Sequence, residues 1–232
     1  MKVTVHDSIA SIDGDAWNAL VGTDFPFLRH EFLELAETSG SVAPDAGWTP
    51  RHLALYDGAR LRAAMPLYEK SHSWGEFVFD WAWAQAYGRA GFDYYPKLVS
   101  AVPFTPAPSP RLLRAQPDDD DAASALLDAA TQLAVDTDCS SLHILFPAHT
   151  EVALLEKHGF LIRKDCQFHW QNRDYEDFDG FLETFTSAKR KKARRDRRRV
   201  AEAGIRFRRL HGSDMSSDDW AVVYGLIART FM

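Results

Sequence analysis

Two apolar runs rich in strand-forming residues, 51–57 (RHLALYD) and 60–70 (RLRAAMPLYEK), flank Asp57-Gly58. An Asp-Gly pair between two such runs is the strongest short-range hairpin signal, because the tight turn needs positive φ at its centre. The hairpin sets an antiparallel pair in the first third of the chain. GEFVFD (75–80) reads as a third strand of the same meander. Before it, Lys2–His6 alternates as a first strand. Asp13 or Asp15 can cap a short helix holding Trp17, Ala19 and Leu20. A second helix is expected at 30–39, through Phe32, Leu33, Leu35 and Ala36, with Gly40 as its stop.

After the meander, alanines at 82, 84, 86 and 90 predict a helix that starts near Asp80 and ends at Gly91 or Tyr95. KLVSAVPF is a strand, and RLLRA (111–115) a short one. Four aspartates at 118–121 suit a helix start. That helix runs to Thr137 through Leu126, Leu127, Ala130, Leu133 and Ala134. SLHILFP is a buried strand, EVALLEKHGF a helix stopped by Gly159, and LIRKDCQFHWQNRDY the strand after it. The order β-α-α-β-β-β-α-β-α-β-α-β predicts a mixed sheet with helices on both faces.

A different section opens at Phe178. DFDGFLETFTSAKRKKARRDRRRVAEAG is helical with a break near Ser187, GIRFRRL is a strand, and SSDDWAVVYGLIARTFM is a helix. Its apolar face would be Trp220, Val223, Tyr224, Ile227 and Phe231. Val3 followed by Trp17, and Ile205 followed by Trp220, make a weak internal repeat of strand, polar loop and tryptophan-bearing helix.

The net charge of −6 hides an asymmetry. Residues 189–199, KRKKARRDRRR, hold nine bases and one acid, and the rest of the chain is −14. Such concentration speaks about partners and not about fold. Apolar runs are too short for a membrane span, and the N-terminus lacks the apolar region of a signal peptide. With two cysteines, Cys139 and Cys166, at no metal spacing, a cytoplasmic location and no metal are expected.

Within residues 79–113, the stretch 81–95 carries six large rings, Trp81, Trp83, Tyr87, Phe92, Tyr94 and Tyr95, and five prolines follow. Rings at this density form either core or the lining of a pocket. Candidate bases are Glu76, Asp80, His72 and His143, and the sequence does not choose among them.

The segments HEFLELAETSG, GWTPRHLALY, AAMPLYEKSHSWGEFVFDWAWAQAY, YYPKLVSAVPFTP and PRLL resemble a bacterial family of N-acyltransferases, the FemAB-like branch of the GNAT superfamily, often labelled as peptidoglycan biosynthesis proteins. The resemblance implies a GNAT-like α/β fold, with a mixed, mostly antiparallel sheet flanked by helices. It divides the chain into a first domain (1–174), basic connecting helices (175–203) and the start of a second GNAT-like half (204–232). It implies transfer of an acyl or aminoacyl group to an amine acceptor, for instance a cell-envelope precursor. The donor would be acyl-CoA as co-substrate or, alternatively, aminoacyl-tRNA, with no permanently bound cofactor.

On that reading Asp80 and Tyr95 are the catalytic candidates, Tyr95 as proton donor to the leaving group. Trp81, Trp83 and Tyr94 line the donor channel, and Lys97 and Arg111 bind anionic groups. Gln85, Gly88 and Arg89 match the GNAT phosphate-cradling pattern, although they stand several residues inside a helix instead of opening one. The alternative is a non-catalytic module that holds RNA or an anionic precursor through Lys189, Arg190, Arg194, Arg195 and Arg198. The apolar terminal helix calls for a missing C-terminal half or a second copy.

Overall fold

The computed structural model describes residues 1–230. The chain divides into two units, one of Met1–Lys164 and one that begins at Asp165, where the sequence reading places boundaries at 174 and 203.

The first unit contains strands β1 (Lys2–His6), β2 (Trp48–Pro50), β3 (His52–Asp57), β4 (Arg60–Met65), β5 (Tyr68–Lys70), β6 (Lys97–Ser100), β7 (Leu113–Arg114) and β8 (Leu142–Ile144). Its helices are α1 (Gly14–Val21), α2 (His30–Thr38), α3 (Trp81–Ala90), α4 (Asp120–Asp136) and α5 (Val152–Lys157). One sheet has the order β1-β3-β4-β7 and is antiparallel throughout; the other has the order β2-β5-β6-β8. In the second sheet only β6 and β8 run parallel, with Leu98 opposite Leu142. A parallel pair needs a crossover, and α4 lies between the two strands in sequence. The architecture is the mixed, mostly antiparallel α/β one expected.

The Asp-Gly hairpin forms as read. Asp57 pairs with Arg60 and Gly58 has φ +60°. Alternation then sorts the side chains of β3 and β4 onto two faces, and a register shift opposite Leu55 and Tyr56 turns Leu61 to the face of Ala64. Leu53, Leu55, Ala63 and Met65 pack in one cluster with Ala123, Leu126, Leu127 and Ala130 of α4. Ala54, Leu61 and Ala64 pack in another with Trp17 of α1 and Leu33 of α2. The first sheet is thus covered on both faces. Each fully buried leucine contributes about 1.5–3 kcal/mol. Trp17 is fully buried, and its indole N–H donates to the Leu28 carbonyl at 2.8 Å.

Three expected strands do not form. Residues 60–70 are split at Pro66, which has no N–H to give a ladder, so β4 and β5 fall in different sheets. The third strand of the meander is therefore β5, and 75–80 is a loop. Gly75, Phe77 and Phe79 have φ of +84°, +60° and +48°, which no strand accommodates. Segments 161–175 and 205–210 are also without strand structure. The second copy of the weak repeat accordingly lacks its strand, and Trp220 is exposed where Trp17 is buried.

A methyl group at Gly75 would meet the Phe104 ring at 2.7 Å and Trp48 at 3.2 Å, in a backbone conformation that disfavours any side chain. Gly75→Ala is expected to destabilise the chain by about 1–3 kcal/mol, read as a lowered thermal midpoint.

The second unit holds α6 (Phe178–Glu183), α7 (Ser187–Glu202) and α8 (Ser217–Ala228), with the expected break just before Ser187. Phe181 gathers the rings of Trp170, Tyr175, Phe178 and Phe185. On α8, Trp220, Tyr224 and Ile227 are exposed, Val223 is half-buried, and Phe231 lies outside the described residues.

Candidate active site

The first unit buries a group of charged side chains that its folding must account for. Lys70 and Lys97 are directly opposite each other across the β5–β6 pair, and both are fully buried. Like charges facing across a ladder repel. The loop between β5 and α3 returns over this face and brings Ser73, Glu76 and Asp80 to the lysines.

Lys97 Nζ donates to Ser73 Oγ at 2.9 Å, Glu76 Oε2 at 2.8 Å and Asp80 Oδ2 at 2.5 Å. Those three bonds use every proton of an ammonium group. The Tyr94 hydroxyl donates to Asp80 Oδ2 at 2.6 Å, and the Tyr95 hydroxyl lies 2.8 Å from Ser73 Oγ. Lys70 Nζ donates to the Trp74 carbonyl at 3.2 Å and lies 3.6 Å from the centre of the Trp48 ring. Glu76 Oε1 and Asp80 Oδ1 are buried with no hydrogen-bond partner. Buried acceptors almost always have one, so these two oxygens are exceptional.

The electrostatics sets the two carboxyls apart. Burial pushes the Asp80 carboxyl up, but hydrogen bonds from Lys97 and Tyr94 outweigh it and hold it down at about 2. Glu76 lies above the usual carboxylate range, because burial exceeds what Lys97 returns. Burial, with Lys97 adding to it, pushes Lys70 down to about 7. Asp80 is therefore an anion at neutral pH, Glu76 is the carboxyl that binds a proton more readily, and Lys70 is the group poised near neutrality.

Lys70→Met is expected to stabilise the chain at pH 6 and to flatten its pH dependence. A lysine whose value falls from the ordinary range to about 7 on folding contributes stability that is present above its unfolded value and lost as pH falls through 7. Stability of the native sequence should thus rise between about pH 7 and pH 10. Thermal midpoints of both proteins across that range make the test; parallel curves would refute it.

Of the residues singled out from sequence, Asp80, Tyr94, Tyr95 and Lys97 come together. Trp81 and Trp83 do not join them: both are exposed on α3, and the Trp81 ring lies tilted against that of Trp74, with centres 5.4 Å apart. Gln85, Gly88 and Arg89 lie inside α3, where helical hydrogen bonding occupies the backbone N–H groups a pyrophosphate would need. This corrects the cradle reading. Lys97 is no open anion contact either, its protons being spent on the cluster.

Arg111 stands apart from the cluster and is fully buried. Its guanidinium donates to the carbonyls of Ala107, Ser109 and Leu145, which ties the proline loop to the end of β8 instead of presenting a charge to solvent. Glu151 completes that tie by accepting from the backbone N–H groups of Arg111, Leu112 and Ala148. His72 is packed against Gly47. His143 is pushed down to about 4, first by burial and then by Lys97, which makes it a weaker base than Glu76.

Ser73 and Lys70 have no signal in the sequence as site residues. The one available hint is that strands with strongly apolar neighbours, KLVS and PLYEK, each carry a lysine.

No curated protein matches the chain. Two solved structures are similar to it. One is an aminoglycoside antibiotic 6'-N-acetyltransferase from Acinetobacter haemolyticus, with 12% identity, 75% of this chain and 100% of that chain covered, and a TM-score of 0.44. The other is an acetyltransferase from Trypanosoma brucei, with 13% identity, 74% and 99% covered, and a TM-score of 0.37. The FemAB-like family, described as peptidoglycan biosynthesis/recognition, matches residues 8–232, so the chain belongs to that family, and membership supports an enzyme of acyltransferase type.

Proposed function

We propose that the chain transfers an acyl or aminoacyl group to an amine, such as that of a cell-envelope precursor, at the Glu76–Asp80–Lys97 cluster. The observation that carries this reading is the pair of buried, unpartnered oxygens, Glu76 Oε1 and Asp80 Oδ1. Two acceptors without donors suit a ligand that brings N–H groups, and an ammonium or amine does so. Asp80, held ionised, positions the incoming nitrogen. Glu76, with its raised affinity for protons, takes the proton that the ammonium must lose before it can attack.

The amine lone pair then forms the C–N bond to the donor carbonyl, and the C–S or C–O bond breaks. The Tyr95 hydroxyl, half-buried at the edge of the cluster, supplies a proton to the leaving group, and the second proton that the nitrogen sheds as the amide forms returns to the Tyr95 oxygen. The loop over the cluster is the entry route this requires. Its Phe77 and Phe79 hold left-handed backbone conformations and expose their rings, a cost of about 1–2 kcal/mol each that favours rearrangement when a ligand arrives.

Acyl-CoA is the first donor and aminoacyl-tRNA the second. Asp118–Asp121 surround the start of α4, with Asp119 clamped by Arg62 and capping Ala122. A pyrophosphate meets repulsion there, so a CoA donor must place its phosphates elsewhere. Thermal unfolding with acetyl-CoA, longer acyl-CoAs and free CoA tests the donor. A ligand at 100 times its dissociation constant adds about 2.7 kcal/mol, a shift of several degrees. A shift with acyl-CoA identifies the donor class. No shift, followed by turnover of aminoacyl-tRNA, selects the second donor. Failure with both donors overturns the proposal.

A further inference from the structure

The second unit carries two features that acyl transfer does not use. The first is α7. Its nine basic residues span about 15 Å along the axis at 1.5 Å per residue. They do not surround the helix evenly in effect. Arg190, Ala193 and Val200 are half-buried, and Arg197 lies 4.2 Å from the Phe178 ring of α6, so one side of α7 is packed. At 100° per residue, Lys191, Lys192, Arg195, Arg198 and Arg199 fall on the opposite arc, and all five are exposed. The ion pairs on this arc, Arg195 with Asp196 and Arg198 with Glu202, are solvent-exposed and loose at 3.5 Å. Such pairs neutralise little.

The second feature is α8. Trp220, Tyr224 and Ile227 recur at i, i+4 and i+7 and are exposed, with Val222 and Leu226 exposed on the other side. A nucleic acid would suit the charge of α7, but it would leave this apolar helix in water, and no aromatic interleaves the basic run to stack on bases. An anionic bilayer surface meets both features. Its headgroups take the one-sided cationic arc, and its interfacial zone takes Trp, Tyr and aliphatic side chains.

We infer that the second unit is a peripheral docking surface for anionic phospholipid membranes, held by the basic arc of α7 and by the apolar side chains of α8. Among the described residues no helix is long and apolar enough to cross a membrane, so the contact is surface adsorption. The inference does not depend on the chemistry of the Lys97 cluster.

The test is sedimentation of the 232-residue chain with vesicles of phosphatidylcholine alone and with 30% phosphatidylglycerol. Binding is expected only to the anionic vesicles and should weaken steeply with salt. Each Lys or Arg near such a surface contributes about fivefold, so the triple variant K191Q/K192Q/R195Q should bind about a hundredfold more weakly. These exposed positions are not expected to alter the fold, which circular dichroism checks. Trp220→Ser and Ile227→Ser should remove the binding that survives high salt. Equal binding to both vesicle types, no binding to either, or single-stranded RNA binding in the absence of vesicle binding would overturn the inference.

Discussion

Lys97→Met is expected to cost about 3–5 kcal/mol of stability. The substitution keeps the length and apolar stem of the side chain and removes only the charge and its three donors. Glu76 and Asp80 then remain buried with no cation at hydrogen-bond distance, since Lys70 Nζ is engaged with the Trp74 carbonyl. Urea unfolding supplies the measurement, as a lower midpoint at unchanged slope. The double variant Lys97→Met, Asp80→Asn should recover part of the loss, because a neutral amide needs no counter-charge. A loss under 1 kcal/mol for the single variant would mean that solvent, and not Lys97, compensates the carboxylates.

The same cluster dictates an acid limit. Asp80 is held at about 2, below its unfolded value. Its contribution is therefore present above that unfolded value and disappears as pH falls through about 2. Glu76 acts in the opposite sense, since its raised value favours the protonated form. Its contribution is complete below the unfolded value and is lost as pH climbs through the folded one.

Glu76→Gln is expected to lower turnover by about 10²–10⁴ while leaving the fold intact. Glutamine keeps the shape and can still accept from Lys97, but it cannot take a proton from an ammonium. The pH–rate profile of the native sequence should show an acidic limb that reports Glu76, and the variant should lack it. A more alkaline medium, in which more of the acceptor is already the free amine, should restore part of the variant's rate. Turnover within threefold of the native protein, with the acidic limb retained, would assign the base elsewhere.

Much of the layout was legible in the chain. The Asp57-Gly58 hairpin, the capped helix with Trp17, the alanine-rich start of α3 with Gly91 as its stop, and the long α4 after its aspartates all follow from local rules. So does the break before Ser187. These depend on contacts a few residues apart, where turn chemistry and periodicity decide. The segment 75–80 shows where local reading stops. GEFVFD alternates as a strand does, yet Pro66 ends β4 early and β5 takes the edge this segment would have joined, so it crosses the lysines as a loop.

The site divides in the same way. Asp80, Tyr94, Tyr95 and Lys97 stood out because they lie close in sequence to a dense run of rings. Ser73 and Lys70 did not, and Glu76 was one of four candidate bases among which the sequence did not choose, since their meaning comes from Lys70 pairing with Lys97 across two strands 27 positions apart in the chain. Arg111 and the Gln85–Arg89 motif looked like anion sites by residue type; burial among carbonyls and placement inside a helix gave them other work. The sequence by itself carried the family resemblance in its quoted segments, and it determined the α/β class and the concentration of positive charge on one helix, because those two are properties of composition and short-range pattern. Only the tertiary structure decided which charges share a buried site and which oxygens are left without partners, because burial and pairing depend on what long-range folding brings to the same place.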